Sequence, residues 1–312
     1  MPAQLICCSH SPLMLTDIEA SDLEGQRAFF AEMETISREV HAFSPDLVVS
    51  FGPDHFNGFF YDLMPAFCLG LAAHGTRDWG LPGGPLRVPT ELALECARAL
   101  HREDLDTAIS YDMCVDHGNA LSLTQLTGAL ARYDVLPIFL NCAADPRPSM
   151  RRSRLFGEAV GRFLATRGLR VTIIGSGGLS HDPPTPRLRQ VPHDIAQRLV
   201  KRHTPTPEEL AGREARVIQA GRDLVAGKGP CMPPDREWDE AFMATLCAYD
   251  TDALDRIDDA GIDRRGGFGG HEIRAWVAAA AAARAIETHP MQVRYYRIIP
   301  EWLTGMGIVT AG

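Results

Sequence analysis

Four histidines stand out in the sequence because each follows a short apolar run that predicts a buried β-strand. They are His10 in SHSP, His55 in GPDHFNG, His117 in VDHGN and His181 in GSGGLSH. The runs before them are, in the same order, Gln4 to Cys8, Asp46 to Phe51, Thr107 to Tyr111 and Arg170 to Gly175. The loops beyond the carboxyl ends of strands in an α/β sheet converge on one crevice. We therefore expect the four imidazoles to meet around one site.

The residues beside these histidines fit a site better than an exposed loop. The glycines of Gly52-Pro53-Asp54 and of Gly175-Ser176-Gly177-Gly178 allow the backbone to approach a neighbour closely. Asp54 and Asp116 adjoin histidines that they could orient. An ordinary strand-to-loop turn would use the same glycines. Neither G-x-x-x-x-G-K-[ST] nor G-x-G-x-x-G is completed in these segments, so nucleotide binding is not indicated.

Glu272 is a candidate carboxylate at the start of a helix predicted from His271 to Glu287. A first-turn glutamate can also simply face the helix dipole. Two neutral imidazoles and one carboxylate on one face of a metal leave other positions open, which suits non-haem Fe(II) binding substrate and O2 together. Zinc hydrolases also use two histidines and a glutamate, so ligand type leaves both metals open. The two remaining histidines would serve stepwise proton transfers.

The other histidines and the cysteines suggest no second site. Seven histidines fall in predicted helices or polar turns, where surface exposure is expected: His41, His74, His101, His193, His203, His271 and His289. The eight cysteines include no C-x-x-C pair and are expected to be reduced thiols that act as small hydrophobic residues. Cys114 lies three residues before His117, but nothing near it in sequence would lower the pKa of its thiol.

Composition and charge exclude several function classes. The chain has 312 residues, of which 45% are hydrophobic and 23% charged, so disorder and fibrous repeats are excluded. A net charge of −9 without a basic run disfavours nucleic acid and anionic membranes as partners. The N-terminus has no basic region like that of a signal peptide. The longest apolar run, residues 275–283, is shorter than the ~20 residues of a transmembrane helix, so we expect a cytoplasmic protein.

The elements that must position the site alternate between strand and helix. Helical periodicity covers Asp22 to Phe43, Pro89 to Arg102, Asn119 to Ala131 and Ser149 to Thr166. This alternation predicts an α/β fold with a central sheet covered by helices on both faces. Residues 192–259 are charged and helical in period, most clearly from Glu208 to Val225, and are expected outside the sheet. Val293 to Ile298 is predicted as the final strand. Because no linker or repeat divides the chain, we expect one domain over residues 1–312.

Five motifs spread along the chain resemble those of one enzyme family. They are SHSP, FGPDHFNGFFYDLMPAFCLG, VDHG, GSGGLSH and YYRIIPEW. Together they resemble the type III, or LigB-superfamily, extradiol ring-cleavage dioxygenases, and the similarity extends over essentially the whole chain. The helical segment from Pro192 to Asp259 matches least closely.

The resemblance implies specific roles for the candidate residues. The Fe(II) ligands would be His10, His55 and Glu272, the catalytic base would be His181, and the acid would be His117. The substrates would be O2 and a catechol with a short carboxylate side chain, with 3-(2,3-dihydroxyphenyl)propionate as the expected compound. We also expect a homo-oligomer.

Two other classes of function remain open. A zinc hydrolase could use the same three ligands, with His181 as the general base for a metal-bound water. A non-enzymatic relative could bind a partner in the same crevice, although a binding module needs no such set of histidines. Arg294 and Arg297 are conceivable partners for a substrate carboxylate because a guanidinium fork suits that group. Surface salt bridges are the simpler interpretation of both arginines.

Overall fold

A computed structural model describes residues 2–312 of the chain. Within that range the strands are β1 (Ala3–Cys8), β2 (Leu47–Gly52), β3 (Phe67–Gly70), β4 (Ala73–Gly75), β5 (Gly84–Pro85), β6 (Ala108–Ser110), β7 (Met113–Val115), β8 (Val135–Leu140), β9 (Val171–Ser176), β10 (Gln292–Ile299) and β11 (Thr304–Ala311). The α-helices are α1 (Leu23–Phe43), α2 (Thr90–Arg102), α3 (His117–Thr127), α4 (Met150–Leu164), α5 (His193–Val200), α6 (Pro207–Val225), α7 (Arg236–Ala248), α8 (Thr251–Asp255), α9 (Asp259–Gly261) and α10 (Ile273–Ile286). The predicted α/β class is confirmed.

The main sheet brings the carboxyl ends of its central strands to one edge. Its eight strands have the order β10-β11-β1-β9-β2-β8-β3-β6. Strands β1, β9, β2 and β8 run parallel to one another. Strand β11 pairs antiparallel with β1 and β10, and β3 pairs antiparallel with β8 and parallel with β6. Cys8 pairs with Ser176, and Phe51 pairs with Gly175. The loops that carry His10 and His55, and the loop after β9, therefore leave the sheet side by side.

Both faces of the main sheet are covered. Along β1, Leu5 and Cys7 join the core beneath α4 and α10, while Ile6 and Cys8 join the core beneath α1 and α3. Successive side chains of a strand point to opposite faces, so this alternation buries the strand on both sides. The prediction of a sheet between two helical layers is confirmed.

Helices α4 and α10 pack with their backbones in close approach. The alanine-rich run of residues 275–283 lies in α10 and is buried throughout. Gly157 of α4 lies against the backbone of Ala278, where a Cβ atom would overlap the Ala278 carbonyl oxygen. Small residues on both helices therefore set the position at which α10 begins, directly after Glu272. No helix within residues 2–312 is long and apolar enough to cross a membrane.

Two of the strand predictions located a strand but were wrong about its position in the sheet. The run from Thr107 to Tyr111 forms only the short edge strand β6, which pairs with β3 alone and leaves Ile109 exposed. His117 follows a different strand, β7, which belongs to a smaller sheet of order β5-β4-β7. Val293 to Ile298 lies within β10, but it is not the final strand, because β11 follows it and pairs with both β10 and β1.

Residues 192–259 lie outside the sheet, as predicted. They form α5, α6, α7 and α8, and no strand of either sheet lies within this segment. Helix α6 begins with a capping box, in which the side chain of Thr206 accepts from the Glu209 backbone N–H and the Glu209 carboxylate accepts from the Thr206 backbone N–H. This is a strong local start signal, since it satisfies two free backbone donors at once.

Candidate active site

One cavity opens at the carboxyl ends of the central strands. It has a volume of about 550 Å³, and all four predicted histidines, His10, His55, His117 and His181, line it. The rings of His10 and His55 lie 5.6 Å apart, and those of His55 and His117 stack at 4.3 Å. The structure therefore brings together four residues that are separated by up to 171 positions in the chain.

Hydrogen bonds fix the tautomer of His10. The hydroxyl of Ser176 donates to the carbonyl oxygen of Gly118, so its oxygen must accept from His10 Nδ1, at 3.0 Å. The proton is thereby held on Nδ1, and Nε2 keeps its lone pair. Burial lowers the pKa of His10 to about 3, with a smaller opposing effect from Glu272. His10 is therefore a neutral imidazole at physiological pH.

Asp116 orients His55 in the same way. Its carboxylate accepts from the backbone N–H of His55 at 2.7 Å and from His55 Nδ1 at 3.1 Å. Asp116 is also the N-cap of α3, where it accepts from the N–H of Gly118. Burial raises the pKa of Asp116, but His55 and His117 outweigh burial and hold the pKa well below its usual value. The ring of His55 is thus turned so that Nε2 faces the cavity.

Glu272, which directly precedes α10, lies against both of these histidines. Its Oε1 lies 3.2 Å from His55 Nε2, and its Oε2 lies 3.6 Å from His10 Nε2. Oε2 also accepts from the backbone N–H of Gly178 at 2.6 Å. Burial raises the pKa of Glu272, but His10 and His181 lower it, and the net pKa lies well below its usual value.

The glycines after β9 permit this approach. A Cβ atom at Gly177 would lie 2.6 Å from the backbone oxygen of Glu272, and one at Gly178 would overlap the ring of His181. No side chain fits at either position without displacing Glu272 or His181. The close backbone approach inferred from the sequence is confirmed.

The donor set of His10, His55 and Glu272 fits a divalent transition metal. Bonds of roughly 2.0–2.2 Å at right angles place neighbouring donor atoms about 3 Å apart, close to the 3.2 and 3.6 Å that separate Glu272 from the two imidazoles. Two imidazole nitrogens and a carboxylate on one side of a metal form the facial arrangement that leaves positions open for other ligands. His117 also lies near, since ring nitrogens of His10, His55 and His117 fall within 4.8 Å of one another.

Asp78 gives His117 a different environment. Asp78 Oδ2 lies 2.5 Å from His117 Nδ1 and also faces its backbone N–H at 3.3 Å. Burial raises the pKa of Asp78, but His117 outweighs that effect and lowers it. This contact engages Nδ1 and leaves Nε2 as the ring nitrogen that His117 offers to the cavity.

His181 is held by a carbonyl instead of a carboxylate. Its Nδ1 lies 2.9 Å from the carbonyl oxygen of Leu179, which can only accept, so Nδ1 carries a proton. Its Nε2 lies 3.6 Å from Glu272 Oε1. Burial lowers the pKa of His181, and Glu272 raises it above the usual value. A cation bound to Glu272 would offset that pull and free Nε2 to accept a proton.

Sequence reasoning missed several residues of the site. Asp78 and Ser176 orient two of the histidines, but neither adjoins its partner in the chain. Asp54, by contrast, was expected to orient a histidine and instead accepts backbone N–H groups of residues 57–59. Burial and the nearby Asp116 raise the pKa of Asp54 to about 7. Burial also raises the pKa of the Cys114 thiol, which argues against its use as a nucleophile.

One prediction outside the cavity needs correction, and the interpretation of Arg294 and Arg297 as salt-bridge residues is confirmed. His271, expected at the surface, is fully buried, where it contacts Asp263 and Arg274. Arg294 pairs with acidic residues of α1, and Arg297 pairs with Asp22 at the start of that helix. Neither arginine lines the cavity.

Comparison with known proteins identifies the family. Residues 4–307 match the model described as the catalytic LigB subunit of aromatic ring-opening dioxygenase. A curated relative from Cupriavidus pinatubonensis, named 2,3-dihydroxyphenylpropionate/2,3-dihydroxicinnamic acid 1,2-dioxygenase, is 44% identical over 100% of this chain and 98% of its own. Relatives of the same name from Photorhabdus laumondii and Mycolicibacterium vanbaalenii are 42% and 44% identical, over 100% and 98% of this chain and 98% and 96% of their own.

One solved structure, that of an uncharacterized protein from Escherichia coli K12, covers 99% of each chain at 13% identity and a TM-score of 0.45. That likeness is too weak to inform fold or function. The family match and the full-length relatives instead confirm the resemblance carried by the five sequence motifs. The chain belongs to the LigB family of aromatic ring-opening dioxygenases.

Proposed function

We propose that the protein is an Fe(II)-dependent extradiol dioxygenase that cleaves 3-(2,3-dihydroxyphenyl)propionate with O2. The product would be 2-hydroxy-6-oxonona-2,4-dienedioate, which keeps both oxygen atoms of O2. The observation that carries the proposal is the contact of Glu272 with His10 and His55, two of the four histidines that line one cavity. The full-length relatives named for this reaction support the choice of substrate.

The three metal ligands would be His10, His55 and Glu272. Fe(II) bound there would supply adjacent open positions at which a catechol and O2 can exchange electrons. The hydrogen bonds to Ser176 and Asp116 engage Nδ1 of each imidazole, which leaves Nε2 as the atom that would bind the metal. Such outer partners orient the ligands of a metal site and raise their basicity.

We assign the role of base to His181. Its Nδ1 proton is committed to the Leu179 carbonyl, so Nε2 is the atom that accepts a proton from a catechol hydroxyl. The distance of 3.6 Å between this Nε2 and Glu272 Oε1 places it beside the ligands. Removing the phenolic proton makes the ring a better electron donor.

We assign the role of acid to His117. The Asp78 carboxylate holds its Nδ1, and the ring stacks on that of His55 at 4.3 Å. A proton on Nε2 would assist cleavage of the bond between the two atoms of O2. The two histidines differ in the group that holds Nδ1, which is a backbone carbonyl for His181 and a carboxylate for His117.

The remaining expectations are part of the same proposal. We propose that residues 1–312 form one dioxygenase domain, that the protein is a cytoplasmic homo-oligomer, and that it acts in the breakdown of aromatic acids. A zinc hydrolase with the same three ligands is the second candidate from the sequence, and no observation in the structure favours it over the dioxygenase.

The decisive experiment is anaerobic reconstitution with Fe(II) or Zn(II), followed by O2 uptake with the catechol. We expect O2 uptake and a yellow ring-fission product with Fe(II) alone. Glu272→Gln should bind iron weakly and lose turnover while the protein stays folded, because a neutral amide is a poor ligand for a hard cation. Turnover with Zn(II), or full activity of Glu272→Gln with one iron per chain, would contradict the proposal.

A further inference from the structure

The wall of the cavity opposite the sheet is built by α5 and α6. Leu210, Arg213 and Val217 of α6 lie three and four residues apart, on one face of the helix, and all three line the cavity. Ile195 and Leu199 of α5 line it as well. The same two helices also bring charged residues to the cavity: Arg198, Arg213, Arg216, Glu208, Glu209 and Glu214. Because Arg198 and Arg216 are exposed, the one half-buried cation of this wall needs an explanation.

Arg213 is that cation. It is partly buried, and within residues 2–312 its guanidinium has neither a carboxylate within 4.0 Å nor a hydrogen-bond partner. Burial lowers its pKa most, Glu209 and more weakly Asp54 raise it, and Arg216 and Arg198 lower it. A half-buried arginine that lacks a protein acceptor would gain from a bound anion.

Three carboxylates near the cavity are already engaged elsewhere. Glu209 pairs with Arg198 at 3.3 Å and caps α6 by accepting from Thr206. Glu214 accepts from the backbone N–H of Trp79 at 2.9 Å. Asp54 accepts backbone N–H groups of its own loop. None of these carboxylates forms an ion pair with Arg213 in the part of the chain that the structure describes.

We propose that Arg213 binds the carboxylate of the substrate side chain and thereby sets specificity for carboxylated catechols. The inference rests on the proposed function for the position of the catechol, which the histidines hold at the sheet end of the cavity. The propionate side chain then extends past Leu210 and Val217 toward Arg213 on α6. A guanidinium binds a carboxylate through two parallel N–H bonds, which adds geometric selection to charge.

The first test compares two substrates that differ only in the anionic group. For Arg213→Met we expect kcat/KM with 3-(2,3-dihydroxyphenyl)propionate to fall about 10- to 150-fold, mainly through KM, since hydrogen bonds to charged groups have about this effect. The value with 3-propylcatechol should not fall. Arg213→Lys should recover part of the loss. Arg222→Met, on the same helix but outside the cavity, is the matched control and should behave as wild type.

The second test needs neither iron nor turnover. Calorimetry should show that 3-phenylpropionate, which has the carboxylate but no catechol, binds the metal-free wild-type protein and binds Arg213→Met at least tenfold more weakly. This result would support the site even if the protein failed to consume O2, so the two proposals can fail separately. Equal losses with both catechols, unchanged binding of 3-phenylpropionate, or a selective loss in Arg216→Met and not in Arg213→Met would overturn the assignment.

Discussion

Replacing Asp116 by Asn tests whether the orientation of His55 decides metal binding. The Asp116 carboxylate accepts four N–H groups: the backbone and Nδ1 of His55, Nδ2 of Asn57 and the backbone of Gly118. Three of them reach Oδ2 and the fourth reaches Oδ1. An amide has one oxygen, so no orientation of the asparagine satisfies all four donors. The favoured orientation keeps the oxygen toward His55 and turns the NH₂ group toward Gly118.

The size of the effect follows from these contacts. Losing the N-cap of α3 costs about 0.5–2 kcal/mol, and replacing charge-assisted by neutral hydrogen bonds costs about 1 kcal/mol more. A total of about 1.5–3 kcal/mol lowers the melting temperature by about 2–5 °C, given an unfolding entropy of about 2.1 cal/mol/K per residue. Iron affinity should fall about 10- to 100-fold, as expected when a partner that orients a ligand is lost.

The assay is competition for Fe(II) with a chelator under anaerobic conditions, together with thermal unfolding of the metal-free protein. Asp112→Asn is the control, because Asp112 is exposed and pairs only with the exposed His74. Unchanged iron affinity together with a lower melting temperature would show that Asp116 only caps α3. If neither value changes, the Asp116 carboxylate does not hold His55 in the orientation that metal binding requires.

The parallel centre of the sheet could be predicted because its strands carry their own signal. Strands β1, β2, β8 and β9 are buried on both faces, so the sequence of each is a mostly continuous apolar run. This signal does not depend on which strands pair with it. The positions of His10, His55 and His181 followed from those runs. Strands β4, β5 and β7 are only two or three residues long, so no periodicity could reveal them.

The residues that surround and orient the site histidines could not be predicted, because their contacts join distant parts of the chain. Asp78 sits 39 residues before His117, in a turn whose sequence resembles any surface turn. Arg213 lies in a helix with charges on several faces, and only the tertiary structure shows which of them faces the cavity. His271 is buried because Arg274 turns inward to the carbonyl of Pro148, a contact that a helical pattern does not encode.

Two other predictions concern the proton carriers and the helix pair behind Glu272. His181→Ala and His117→Ala should each keep iron but lose about 10²–10⁴-fold in rate, and loss of iron from His117→Ala would make that residue a ligand. The same substitution, Gly to Ala, should have opposite effects at two helical positions. At Gly157 the new Cβ overlaps a backbone carbonyl of α10, which no rotamer can relieve, so stability should fall by about 1–3 kcal/mol. At Gly212 of α6 the nearest atom is 3.8 Å away, and alanine should stabilise the helix by roughly 0.5–1 kcal/mol. Thermal unfolding of the two variants decides between packing and propensity: if Gly157→Ala melts at or above wild type, α4 and α10 are not held in contact as described, and the position of Glu272 cannot depend on them.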